Sequence, residues 1–376
     1  MPRKPPTSSA PLRLWVPPRF RGILTCLLLA VATAVPGARA DETVEALAKY
    51  DKPVDAAVDK ALAYLAAQQH KEGYWPSGLG KDPAIASLSV MAFLAKGHTP
   101  GAGPYGERIN RGIDFVLSCA KPNGMLAGPS QGSMYIHGIS TLMLSEVYGM
   151  VDAGRQDKID KVLSQAVRLI LTAQQVKKAP QFAGGWRYTP QSADSDISLT
   201  GWNLMALRSA RGNGALVPKE TIDRAVEFVL RCRPAGAKLD RAKKAPPIGF
   251  AYQPGGPAGL ARTGVALVCL ELCGRHESDD ALDAGDYVLA NLPKNYGEAY
   301  FYYSMYYCSQ GMFQLGGKYW EKFAPHMIET MLKFQDKDGS WKQGSSGEAP
   351  GGVCYATAMG VLSLSVTYRQ LPIYQR

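Results

Sequence analysis

Ala173-Gln174-Gln175, then Gly184-Gly185-Trp186-Arg187-Tyr188, then Asp194-Ser195-Asp196-Ile197-Ser198-Leu199-Thr200-Gly201-Trp202 make up the informative part of residues 173–202. They read as the end of one helix, a glycine-tryptophan turn and the acidic start of a second helix. Variants of this unit recur along the chain. Gln69-x-x-x-Gly73-x-Trp75 and Gln335-x-x-x-Gly339-x-Trp341 share one spacing, and Gln175, Gly185 and Trp186 repeat the idea with an insertion. The glycine supplies the positive φ of a tight turn. A glutamine amide at the end of the first helix can lie on the indole and hydrogen-bond the next turn, which ties neighbouring hairpins together. These residues are expected to be structural.

Outward from this stretch the chain resolves into six helix pairs, at 54–69 and 84–96, 105–119 and 134–150, 159–175 and 196–211, 219–232 and 260–273, 279–292 and 298–313, and 320–335 and 353–368. The turn glycines fall at Gly73, Gly124, Gly185, Gly249, Gly297 and Gly339. A two-helix unit of this size cannot bury its own apolar face, so the units must stack into an array. The expected fold is all-α, an (α/α)6 toroid of six hairpins with inner and outer helix rings around a central cavity. One domain would span 41–376, with its repeats between about 54 and 368. The basic, proline-bearing insertion at 233–247 reads as a surface loop.

Residues 1–40 read as a signal peptide. Arg3, Lys4, Arg13, Arg19 and Arg21 precede an apolar run at 23–32, and Ala38-Arg39-Ala40 offers a small-x-small cleavage site. The run is shorter than the roughly 20 apolar residues of a membrane span. Cleavage near Ala40 would deliver the chain to the periplasm or the exterior. It would also remove six basic residues and no acidic one, so the net charge falls from +10 to +4. That balance gives no support to a nucleic-acid partner. Six cysteines lie beyond residue 40, singly in apolar helical stretches and not in a dense framework, and are expected as buried thiols.

The Gln-x-x-x-Gly-x-Trp repeats resemble those of squalene and oxidosqualene cyclases, and the six-pair layout is similar to the α/α toroid which those enzymes share with protein prenyltransferase β subunits. The resemblance covers nearly the whole chain beyond the signal, from Val54 to Tyr368. In class II cyclases an Asp-x-Asp-Asp motif opens an inner helix and its middle aspartic acid protonates the polyene. The corresponding residues are Asp194-Ser195-Asp196-Ile197, with isoleucine in place of the last acid. Asp196 and Asp194 are thus the catalytic candidates that the resemblance implies. Helix capping alone also accounts for Asp196, as it does for Asp82 in the first repeat. The Asp-x-Cys zinc pair of the prenyltransferases does not occur, the five histidines are scattered, and neither metal nor cofactor is expected.

With the second helix of each pair on the inside, all inner N-termini point one way. Asp82, Tyr135, His137, Asp196, Arg262, Glu298, Cys354 and Tyr355 would then gather at one mouth of the ring. Trp202, and Tyr303 and Tyr307 from the tyrosine-rich stretch at 296–307, join them as expected cavity residues. Three functions follow: binding or cyclising an isoprenoid-type or other apolar ligand; a non-catalytic exported scaffold; or carbohydrate binding or cleavage, with Asp196 and Glu298 paired across the mouth. A membrane surface is an open partner, and no protein partner is specified.

Overall fold

The computed structural model describes residues 47–128, 133–234, 246–345 and 347–375. Residues 1–40, expected as a signal peptide, and most of the 233–247 insertion lie outside them. Twelve α-helices and no strand occur among the described residues: α1 (Asp51–Gln68), α2 (Pro83–Ala95), α3 (Gly106–Ser118), α4 (Met134–Glu146), α5 (Ala153–Gln174), α6 (Ile197–Gly212), α7 (Lys219–Arg231), α8 (Leu260–Leu272), α9 (Asp279–Ala290), α10 (Phe301–Leu315), α11 (Gly317–Phe334) and α12 (Gly352–Leu364).

Hydrophobic pattern sorts them into two rings. Every residue of α2 is buried, and its N-terminus is set by the Asp82 side chain, which accepts from the Ala84 N–H, and by Pro83 at the first position. A helix that is apolar all round belongs inside. Outer helices are one-sided: α7 buries Ile222, Ala225, Val226, Phe228 and Val229, while Lys219, Glu220 and Asp223 face water. The even-numbered helices pack each on the next, and α12 packs on α2, so the inner ring closes. α11 also packs on α1, closing the outer ring. Close approach inside needs small residues. A Cβ on Gly201 of α6 would sit 2.4 Å from a methyl of Val265 on α8.

The repeat motif is a clasp between hairpins. The Gln69 amide donates to the Gly73 carbonyl at 3.2 Å and to Arg108, in the next outer helix, at 2.8 Å. Gln335 donates to Gly339 at 3.0 Å and to Ala57 of α1 at 2.8 Å, joining the last repeat to the first. In the third repeat the amide is that of Gln174, not Gln175: it donates to Gly184 at 2.7 Å and to Thr221 at 2.9 Å. Gln175 instead accepts from Arg224 at the surface. The longer turn hides the register, and burial selects Gln174. Likewise Gly184, and not Gly185, carries the positive φ of 91° that matches 95° at Gly73 and 89° at Gly339. Gly249 and Gly297, expected in the same role, do not have positive φ. The indoles complete the clasp: Trp75, Trp186 and Trp341 donate to the carbonyls of Leu65, Ile170 and Met331 at 2.7, 2.8 and 2.8 Å. The amide therefore bridges backbone carbonyls of two hairpins, and the indole bonds separately to its own outer helix.

One end of the ring is filled. Trp202 stacks on Tyr306 with ring centres 5.6 Å apart, and the Tyr306 hydroxyl pairs with that of Tyr374 at 2.8 Å. The short 3₁₀ turn Pro372–Tyr374 packs against α6, and the Ile373 N–H donates at 3.1 Å to Glu146, whose other oxygen accepts from Ser209. Burial pushes the Glu146 carboxyl up to about 7. The six cysteines of the described residues are all free thiols, five of them buried. The apolar segment Ala349–Tyr368 is long enough to cross a membrane, but it is mostly buried in the ring.

A Cβ on Gly184 would meet the Arg224 carbonyl oxygen at 2.2 Å, whereas one on Gly212, at the end of α6, would meet nothing within 4 Å. Gly184→Ala is expected to destabilise the fold by about 2 kcal/mol or more, combining backbone strain and overlap. Gly212→Ala should be neutral or stabilising by up to about 1 kcal/mol. Chemical denaturation of the two variants checks both; equal effects would remove the clasp from this account.

Candidate functional site

The inner-helix N-termini surround an open cavity of about 920 Å³. Its walls are apolar: Ile85 and Leu88 from α2, Ile136 and Ile139 from α4, and Leu199 from α6. Tyr135, Tyr252, Tyr303 and Tyr355 add aromatic faces, and Leu79, Tyr188 and Tyr300 stand at the rim. Those three are among the five exposed large hydrophobic residues of the described chain. Charge enters at four positions, Lys81, Asp82, Arg262 and Glu348. Lys81 pairs with Glu72 at 2.5 Å, and Arg262 donates to the Pro257 carbonyl at 2.9 Å.

Asp196 stands just behind this wall, fully buried as the N-cap of α6. One carboxylate oxygen accepts from the Leu199 N–H at 2.9 Å. The other accepts from the Tyr252 hydroxyl at 2.9 Å, which in turn pairs with the hydroxyl of Tyr188 at 2.8 Å. Arg187 lies 3.5 Å from that second oxygen and against the rings of both tyrosines. Burial outweighs these favourable contacts and pushes the Asp196 carboxyl up to about 6. Asp194 is half-buried, 3.6 Å from Arg187, and accepts from Gln253 at 3.2 Å. The two acids thus share one guanidinium. Neither lines the cavity, and a proton leaving Asp196 for it must cross the Tyr252 hydroxyl.

Of the other expected cavity residues, Arg262, Tyr303 and Tyr355 line it, as do Asp82 and Tyr135. His137 does not. It is fully buried on the outward side of α4, where Nδ1 accepts from the Leu126 N–H at 3.0 Å and Nε2 donates to the Ala166 carbonyl at 3.1 Å. Burial lowers its pKa to about 4, which keeps the ring neutral. The same place is taken by Thr200, Thr263 and Thr357, whose hydroxyls accept from the N–H groups of Trp186, Phe250 and Trp341. Trp202 and Tyr307 lie in the aromatic layer under the cavity, edge to face at 5.3 Å. Glu298 is also off the cavity: α10 begins at Phe301, and the Glu298 carboxylate accepts from Lys294 and Asn295 in its own loop.

Glu348, which no periodic signal marks in its glycine-rich loop, takes the place foreseen for Glu298. It is buried and accepts from the first N–H groups of α10, from Tyr303 at 2.8 Å and Tyr302 at 3.3 Å, while the Tyr355 hydroxyl approaches at 3.3 Å. Burial raises its pKa. Asp82, Asp196 and Glu348 are thus three carboxyl groups used as helix caps around one mouth. Among the described residues no three His, Cys, Asp or Glu side chains gather as a metal site.

No protein-family model and no curated protein matches the sequence. Solved structures do match its fold. The GH76A α-1,6-mannanase of Salegentibacter sp. HEL1_6 superposes with a TM-score of 0.60 at 8% identity, over 84% of this chain and 99% of that one. A variant of the type II terpene cyclase MstE from Scytonema, in complex with its product merosterolic acid A, gives 0.55 at 14% identity, over 85% and 98%. A glycosidase variant in complex with glucose gives 0.56 at 12%, over 85% and 98%. At these identities the likeness establishes the fold, and the chain is an α/α toroid.

The Asp196 environment makes a signed prediction. The folded carboxyl keeps its proton to about pH 6, while the unfolded one releases it near its ordinary value of 3.8. Between those values the folded state binds the extra proton, so this group's contribution to stability falls as pH rises from about 4 to 6 and is level above. Asp196→Asn keeps the capping oxygen and removes that titration. The variant should therefore gain on the wild type across this window by up to about 3 kcal/mol, read from denaturation midpoints at several pH values. A constant difference would mean the carboxyl is already ionised at pH 4.

Proposed function

We propose that the protein is an exported toroid which binds an apolar, isoprenoid-type ligand in its mouth cavity. The supporting observation is the wall itself: Ile85, Leu88, Ile136, Ile139 and Leu199 under a screen of tyrosines, in a space that suits a lipid-sized body. The acids at the mouth are occupied as helix caps, and Asp196 has no direct contact with the cavity. That favours binding over direct protonation of a polyene by Asp196 or Asp194, the cyclase-like chemistry that the resemblance implies. The exposed Leu79, Tyr188 and Tyr300 around the opening suit loading from a membrane surface. Export by cleavage near Ala40 remains part of this reading, on the strength of the basic and apolar pattern of residues 1–40.

A carbohydrate reading draws on different features, the cavity carboxylates Asp82 and Glu348 and the exposed tyrosine faces at the rim. One experiment separates the two. Squalene should bind the purified protein and α-1,6-mannotriose should not. Leu88→Trp, which fills the wall, should weaken squalene at least tenfold, or about 1.4 kcal/mol. Mannotriose binding without squalene binding would replace the lipid reading by the carbohydrate one, and binding of neither would leave a scaffold. Cyclised hydrocarbon found by mass spectrometry, and lost in Asp196→Asn, would add catalysis.

A further inference from the structure

The hydrogen bonds that run from Asp196 to the rim form a chain with a direction. Its members are held from different parts of the ring. The Met134 N–H, at the start of α4, donates to the Tyr188 carbonyl at 2.8 Å, and the Ile197 N–H of α6 donates to the Tyr252 carbonyl at 3.0 Å. The Gln253 amide donates to the Ser195 carbonyl at 2.9 Å and fixes the Tyr252 loop a second time. Tyr188 and Tyr252 both line the cavity, and Tyr188, whose hydroxyl ends the chain, is 48% exposed.

The proton on Asp196 sets that direction. Oδ1 accepts from the Leu199 N–H, so a proton on the carboxyl belongs to Oδ2. Oδ2 faces the Tyr252 hydroxyl and the Arg187 guanidinium, and a guanidinium accepts nothing. A protonated Asp196 therefore donates to Tyr252, Tyr252 donates to Tyr188, and the Tyr188 hydrogen is left for the cavity. An ionised Asp196 reverses every bond: Tyr252 donates to the carboxylate, Tyr188 donates to Tyr252, and Tyr188 has only lone pairs left to offer.

Tyr135 of α4 and Cys232 at the end of α7 also face Asp196, and burial keeps both protonated, raising the thiol to about 12. Asp194 shares Arg187 with it at 3.6 Å, and the Lys178 ammonium, which donates to the Ala173 and Gly185 carbonyls, is attracted by Asp194. Asp196 itself changes state at about 6.

We infer that this chain is the polar recognition element of the mouth: with its proton, Asp196 makes Tyr188 a donor to the carbonyl oxygen of an isoprenoid-type ketone or ester, and without it Tyr188 offers that oxygen nothing. This rests on the lipid reading of the cavity and adds a condition to it. The apolar wall holds the body of the ligand in either state, whereas the carbonyl is held only in acid. Tyr188 then determines specificity, and Tyr252 is a positioning residue that acts through it.

The test measures binding of phytone, an isoprenoid methyl ketone, and of norpristane, the hydrocarbon of the same skeleton, to the intact protein. It is made at about pH 5 and about pH 7, on either side of the Asp196 transition. The ratio of ketone to hydrocarbon affinity should fall by about threefold or more from the lower pH to the higher, the effect of one hydrogen bond. Tyr252→Phe keeps the Tyr188 hydroxyl and cuts its link to Asp196, so there the ratio should be the same at both. A ratio independent of pH in the wild type, with both ligands bound, overturns this inference and leaves the apolar site standing. A pH-dependent ratio that survives in Tyr252→Phe assigns the effect to another group and overturns it too. Binding of neither ligand overturns the lipid reading along with it. The wild-type comparison needs no variant to fold.

Discussion

The amide of Gln335 reaching across to the Ala57 carbonyl is the bond on which the architecture turns. A linear stack of hairpins leaves an apolar face bare at each end, whereas a ring leaves none. Closure requires the last turn to dock on the first outer helix as closely as any internal pair. Gly339 makes that possible, because a Cβ there would lie 2.4 Å from the Lys60 carbonyl oxygen. The same clasp at Gln69 and Gln174 sets neighbouring hairpins in one register. With the register fixed, the inner helices all start at one rim, and the cavity is the space between their first turns.

That dependence explains what could be read from the sequence. Gln69 and Gln335, with their glycines and tryptophans at constant spacing, carry the fold because each repeat meets the same steric demand. The third copy was legible as a repeat but not in detail. Its longer turn leaves Gln174 and Gln175, and Gly184 and Gly185, equivalent on spacing alone, and only burial against α7 tells them apart. Asp196 was readable as a cap, since an acid before an apolar helix needs nothing distant to explain it.

The cavity was less legible because long-range contacts make it. His137 sits near an inner N-terminus in the sequence, yet its helix turns it outward to bond Ala166; alignment with Thr200, Thr263 and Thr357 is the signal that would have found this. Glu298 lies where an N-cap should be, but α10 starts later, and its first N–H groups are capped by Glu348 from a loop 45 residues from Tyr303. Tyr252, which covers Asp196, arrives from the following repeat. No local pattern encodes such pairings.

The turn Pro372–Tyr374, held by Tyr306 and Glu146, gives the ring a consequence of its own. With that end occupied and the aromatic layer across the middle, the described residues shape the ring as a cup whose mouth is the rim of Tyr188 and Tyr300. Among those residues, a body that reached the floor would have to leave by the way it came.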